Sequence, residues 1–289
     1  MNTLLSSLNI KLLHVGYAKL GKQWDYNNVI SPFTRMIYVT KGNALINHTN
    51  QTFNLKPKHI YLVPSYVYNW YKCDIYHEQF YLGFFEEVEY GISIYNFKDF
   101  IYEVEATESD IEYFKRLLKI NPDMAVSNSV PKAHILNHFK EKENTKNESL
   151  FKDYYLETKG IISILLSRFI KNTNTSKKTD LFKGDFNKVI IYIAQHLHQD
   201  ISVEKLATFC NLNTDYFSRV FKETFEIRPN KYIQQKRIER AQLLLLTTFN
   251  SVEQIAEQVG FKNVSYFSRT FKKLSKKSPG AFREEQLNI

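Results

Sequence analysis

The sequence predicts two domains of different class: an N-terminal all-β barrel with appended helices over residues 1–171, and a C-terminal all-α domain over 184–289, joined by a linker at 172–183. Three observations carry this. Residues 33–85 break into short apolar runs separated by turn residues, the apolar spacing lengthens to three and four from Thr107 onward, and the C-terminal third contains one motif twice.

In the first domain, the β-favouring runs Phe33 to Val39, Ala44 to Ile46, Ile60 to Val63 and Phe80 to Phe85 are punctuated by Lys41-Gly42-Asn43, His48-Thr49-Asn50 and Lys56-Pro57-Lys58. Short strands so spaced close into a small antiparallel barrel or sandwich. Ile111, Phe114, Leu117 and Leu118 then share one helical face. A second helix is expected from about Lys152 to Lys171, with Tyr155, Ile162, Leu165 and Phe169 on a stripe that packs on its own barrel, against a second copy, or both. The segment from Asn172 to Asp180 is polar and aperiodic, which reads as linker.

Length and charge narrow the class. At 289 residues with 43% apolar content, each domain can bury its own core. The formal charge of +9 is uneven: residues 184–289 carry 16 Lys and Arg against 11 Asp and Glu, and residues 171–183 carry 4 against 1. An excess placed at the C-terminal end is the footprint of a domain that meets phosphates. Cys73 and Cys210 have no disulfide or zinc spacing, and no signal peptide or membrane span is expected, since Lys11 interrupts the first apolar stretch. Cytoplasm is the expected compartment.

The C-terminal motif is the most specific feature. Tyr216-Phe217-Ser218-Arg219-Val220-Phe221-Lys222 lies over Tyr266-Phe267-Ser268-Arg269-Thr270-Phe271-Lys272 with six of seven positions identical, and Leu206-Ala207 lies over Ile255-Ala256. Each copy reads as a short helix (Val203 to Phe209; Val252 to Val259), a tight turn (Cys210-Asn211; Gly260) and a second helix (about Asn213 to Phe225; about Asn263 to Leu274). Ser202 and Ser251 are set to cap the short helices, and Pro229 to open a linking helix that ends at Thr248. That is helix-turn-helix order.

Phenylalanines at spacings of four turn one side of each second helix to the core, so the opposite side faces outward. The candidate DNA contacts are therefore Asn213, Asp215, Ser218, Arg219 and Lys222 in the first copy and Lys262, Asn263, Ser265, Ser268, Arg269 and Lys272 in the second. Arg can bond O6 and N7 of guanine together, and hydroxyls reach bases or phosphates. Two such helices on one rigid linker would enter major-groove segments about 34 Å apart.

These residues, with Arg237, Ala241, Leu244, Gly260-Phe261, Ser278-Pro279 and Arg283, resemble the signature of the AraC/XylS (arabinose-regulator) family. The resemblance implies a transcription regulator, often an activator that works through RNA polymerase, with a cupin-like N-terminal barrel that senses an effector and dimerises. Tyr38-Val39-Thr40-Lys41-Gly42 and Tyr61-Leu62-Val63-Pro64 resemble parts of that barrel. Where the family has Gly at the recognition-helix ends, this chain has Glu226 and Lys276, which puts the geometry of those ends in question.

No phosphate-cradling glycine loop, nucleophile motif or acid–base pair is present, so no catalysis and no cofactor are expected. His48, His59 and His77 lack the clustered strand spacing of a metal site, and His134 and His138, four apart, have no third ligand nearby. Trp24, Tyr38, Tyr68 and Trp70 are the candidate effector contacts, since aromatic faces with nearby hydroxyls suit a sugar or another small organic ligand. The competing readings are a cupin enzyme with a DNA-binding appendage, which needs a metal or an acid–base pair, and a constitutive DNA binder with an empty barrel.

Overall fold

The computed structural model describes residues 6–88, 92–96, 98–125, 154–171 and 180–287. They fall in two compact units, Asn9–Glu86 with Lys98–Asn172, and Met1–Leu8 with Glu87–Phe97 and Thr173–Asn288.

The first unit is built on two antiparallel sheets. One runs β1 (Asn9–Gly21), β8 (Tyr76–Val88), β3 (Thr34–Gly42), β6 (His59–Val63), β10 (Glu103–Glu105); the other runs β2 (Asp25–Val29), β7 (Asn69–Lys72), β4 (Ala44–His48), β5 (Gln51–Leu55); β9 (Ile92–Ser93), which falls in the second unit, pairs with Glu87 and Val88 at the end of β8. Alternation sorts the side chains: Ile37 and Val39 of β3 join Ile46, Phe53, Leu55, Val63 and Tyr71 in a core between the sheets, while Met36 and Tyr38 face the other way. The β4–β5 hairpin closes through Thr49 and Asn50, both left-handed (φ 49° and 59°), with His48 opposite Gln51. That is the primed turn whose twist matches the flanking strands.

Helix α1 (Glu108–Ile120) starts at a capping box between Thr107 and Asp110 and buries Phe114 and Leu117, with Phe114 against Tyr38 and Phe80. Helix α2 (Tyr155–Ser167) is tied to α1 by a forked ion pair from Arg116 to Glu157, at 2.6 and 2.8 Å. Ile162, Leu165 and Phe169 of the expected stripe are buried within this unit, whereas Tyr155 is exposed, as are Leu156 and Ile164. The pair His134 and His138 and most of the expected linker lie outside the described residues.

The second unit is helical: α3 (Asp180–Gln195), α4 (Val203–Phe209), α5 (Thr214–Phe225), α6 (Pro229–Thr247), α7 (Val252–Gln258), α8 (Val264–Ser275) and α9 (Pro279–Leu287). Helix α3 starts inside the segment expected as linker, at Asp180, and carries Phe186, Val189, Ile190 and Ile193 on one face. Those residues of α3 from Phe186 on pack with Leu206, Phe217, Phe221, Tyr232 and Ile233. The second copy builds the same kind of core from Ile255, Val259, Phe261, Phe267, Phe271 and Phe282, its rings meeting edge to face or tilted at 5.3 to 5.7 Å.

Candidate nucleic-acid interface

Helices α4–α5 and α7–α8 are the two helix-turn-helix units. Ser202 and Ser251 accept from the amides of Lys205 and Gln254, and Ser251 with Gln254 completes a capping box. Asn213 and Asn263 are N-caps of α5 and α8, each accepting from the backbone amide of the tyrosine three residues on (2.9 and 2.8 Å). Their acceptor oxygens serve the helix ends, and both residues remain exposed at the tips of the recognition helices.

The other sequence candidates lie on the outer faces as expected. Asp215, Arg219 and Lys222 are exposed along α5, with Ser218 half-buried beside them; Ser265, Arg269 and Lys272 are exposed along α8, with Ser268 half-buried. Phe217, Phe221, Phe267 and Phe271 are fully buried on the opposite side. Arg219 lies over the Tyr216 ring at 4.9 Å, a cation–π contact that holds the guanidinium toward the first turn of the helix. Tyr266 instead accepts a 2.6 Å hydrogen bond from Gln234 on the linking helix. Lys262 forms a fully solvated ion pair with Asp200 (3.1 Å), which a phosphate can displace at little cost.

Both recognition helices end in left-handed residues although neither is glycine: Glu226 and Lys276 each have φ 58°. The helix ends thus keep the geometry that their residue types put in question. Linking helix α6 is uninterrupted over 19 residues, about 28 Å long.

Sequence reasoning named Arg237 and Arg283 but not what they do. Arg237 donates to the carbonyls of Leu197 (2.9 Å) and Gln199 (2.6 Å) beyond the end of α3, and its guanidinium lies 5.7 Å from the Phe261 ring centre. Gly260, the turn of the second unit, has φ 86°, and a Cβ there would overlap the Leu197 carbonyl oxygen. Arg283 repeats the device, donating to the carbonyls of Leu245 and Asn250 at the end of α6. Each half-buried guanidinium satisfies carbonyls at or just beyond the end of a helix.

In the β unit, the structure separates the four effector candidates. Trp24 is buried between the sheets, 4.8 Å from the Tyr71 ring and stacked on His77 at 5.9 Å. Tyr38, by contrast, faces α1 on the outer side of its sheet, and Trp70 is half-buried on the face opposite to Tyr71. Period two puts both on the wrong side to line the interior with Trp24. Tyr68 is half-buried, with its hydroxyl pKa pushed up to about 12 by burial.

The interior instead holds polar groups that sequence reasoning missed. Arg35, on the same face of β3 as Ile37, is buried beside Ser31 and Tyr71, its pKa lowered by burial. His77 bonds Gln79 at 2.9 Å, and His77 Nδ1 and Asn69 Oδ1 are buried with no hydrogen-bond partner among the described residues. The available signal was register: Arg35 stands two and four residues before Ile37 and Val39.

The paired units define a double helix-turn-helix domain. Residues 206–285 match the helix-turn-helix domain family model. The C-terminal domain of the two-component response regulator yesN from Fusobacterium nucleatum is 36% identical, aligned over all of that domain and 35% of this chain at TM-score 0.34. A curated HTH-type transcriptional regulator of Staphylococcus aureus is 28% identical over 132 residues, which cover 45% of this chain and only 18% of that relative. The apo form of a ToxT variant from Vibrio cholerae aligns over 97% of this chain and 98% of its own, at 14% identity and TM-score 0.51, a likeness of fold. Over residues 206–285 the C-terminal unit therefore carries a helix-turn-helix domain of the AraC type, and the chain spans only about a fifth of the length of that Staphylococcus relative. Among the described residues, no helix is long and apolar enough to cross a membrane.

Proposed function

We propose that this regulator reads two adjacent major-groove segments with α5 and α8, as a homodimer whose occupancy is set by a small molecule bound between the sheets of the β unit, and that it activates transcription through RNA polymerase. One observation carries the DNA part: two capped recognition helices present the same Ser-Arg-x-x-Lys face outward while their phenylalanines are buried. That face offers a bidentate guanine reader flanked by phosphate-binding groups.

The effector part is supported by Asn69 Oδ1 and His77 Nδ1. An unpaired buried polar atom costs about 1 to 3 kcal/mol, and a small polar ligand beside Trp24 and Tyr71 would remove that cost. Sugars are the first class to screen. Exposed Leu156 and Ile164 on α2 offer apolar surface for a second copy.

The test is selection of binding sites from random duplex DNA by the full-length protein, with and without a small-molecule library. Two conserved blocks about one helical turn apart, with enrichment that changes with a ligand, is the expected result. No enrichment under any condition overturns the proposal.

A further inference from the structure

Residues 212–228 and 262–278 are the same structural stretch of the two units, each an asparagine cap, a 12-residue recognition helix and a left-handed end. Their charges are not the same. The first stretch is net neutral, and the second carries six positive charges and no negative one. The change falls at five aligned positions, Leu212/Lys262, Asp215/Ser265, Glu223/Lys273, Glu226/Lys276 and Ile227/Lys277, and is opposed only at Arg228/Ser278. Arg219/Arg269 and Lys222/Lys272 are alike in both.

Packing does not account for the pattern. Asp215, Glu223 and Glu226 are exposed, as are Lys262, Lys273 and Lys276, so both charge sets meet solvent or DNA. Exposed charges act over roughly a Debye length of about 8 Å in physiological salt. That is near enough for each recognition helix to bring its own set, and only its own set, to the phosphates beside its groove.

We propose that the two units divide the work of binding: the second anchors the protein on any duplex through phosphates, and the first holds only where its base contacts are made. This rests on the DNA reading given above. Lysines at 262, 272, 273 and 276 release counterions irrespective of sequence. In the first unit, the repulsion of Asp215, Glu223 and Glu226 from phosphates cancels the attraction of Arg219, Lys222 and Arg228, so residence depends on contacts to bases. Asp215, in the first turn of α5, accepts from the N4 amino group of cytosine and has no favourable partner on the backbone. A mismatched sequence therefore releases the first unit while the second stays on, which permits sliding.

The test compares salt dependence on a selected site and on a scrambled duplex, by fluorescence anisotropy of the full-length protein across a KCl series. Lys273→Gln with Lys276→Gln should lower the slope of log affinity against log salt by about 2 on both duplexes, and Lys272→Ala by about 1. Lys222→Ala should leave the slope on scrambled DNA unchanged. Glu223→Gln with Glu226→Gln should tighten binding to scrambled DNA more than to the site, lowering the specificity ratio about tenfold. An unchanged slope in the lysine pair, or an equal slope loss from Lys222→Ala on scrambled DNA, overturns the division of work while leaving DNA binding intact. Absence of binding to every duplex overturns the DNA reading itself, and this inference with it.

Discussion

Arg237 donates its Nε–H to the carbonyl of Leu197 at 2.9 Å, so a side chain of the linking helix closes the end of the helix that opens the domain. The same guanidinium reaches the carbonyl of Gln199 and the ring of Phe261. One side chain thus touches the approach to the first unit, the linking helix and the turn of the second. Gly260 permits this joint, because any Cβ there would meet Leu197.

Arg237→Ala should destabilise the domain by about 2 to 3 kcal/mol, since two charge-assisted hydrogen bonds are lost and the carbonyls are left half-buried. It should also relax the spacing required between the two DNA blocks. Affinities for sites with one base pair inserted between the blocks check this: the variant should discriminate less against the insertion than the parent does. Equal discrimination would mean that α6 alone sets the spacing.

Arg219→Ala and Arg269→Ala should each weaken binding to the selected site by about 1 to 3 kcal/mol and relax discrimination at one base position. Site selection repeated with each variant reads out which position is lost. A uniform loss across all sequences would reassign that arginine to phosphate. Because Arg219 rests on Tyr216, Tyr216→Leu should reproduce part of the Arg219 loss.

Glu226 and Lys276 hold φ 58° without being glycine, a conformation that costs an L-residue about 1 kcal/mol. Glycine relieves that cost and returns part of it through the freer unfolded chain. Glu226→Gly and Lys276→Gly should therefore each raise stability by about 0.5 kcal/mol or more in urea unfolding. A loss in either variant would show that the side chain contributes more than its backbone costs.

The C-terminal domain was legible almost residue by residue because its instructions are local. Serine and asparagine caps, prolines at helix starts and a repeat that can be checked against itself fix each element without reference to the rest of the chain. The β unit was legible only in part. Strands β3, β4, β6 and β8 stood out as β-branched or aromatic runs, but β1 (Asn9–Gly21) mixes Lys11, His14 and Gly16 into its alternation. Gly16 and Gly83 make sense only in pairs: a Cβ at Gly16 would overlap Tyr81, and one at Gly83 would overlap His14. Register across β1 and β8 is a non-local property, and so is the face on which Tyr38 and Trp70 fall. Aromatic type identified them as ligand candidates; pairing decides what they touch.

His48 is buried, its ring stacked on Phe53 at 4.8 Å and edge-on to Tyr102 at 5.0 Å, and burial brings its pKa from the ordinary 6.5 down to about 4. His77, buried against Trp24, is lowered for the same reason. In the unfolded chain both titrate near their ordinary value, so between about pH 6.5 and pH 4 the unfolded state binds more protons than the folded one. Stability is then fully present above the unfolded pKa and falls as the pH drops through this window. For His48 alone the loss from about pH 7 to about pH 5 should be about 2 kcal/mol. The chain's two tryptophans, Trp24 and Trp70, both lie in the β unit, so tryptophan fluorescence in urea follows that unit selectively. His48→Phe keeps the stacked ring and removes the titration, and it should flatten the pH dependence by that amount. If the variant lost stability on acidification as steeply as the parent, the sensitivity would belong to His77 or to a carboxylate instead.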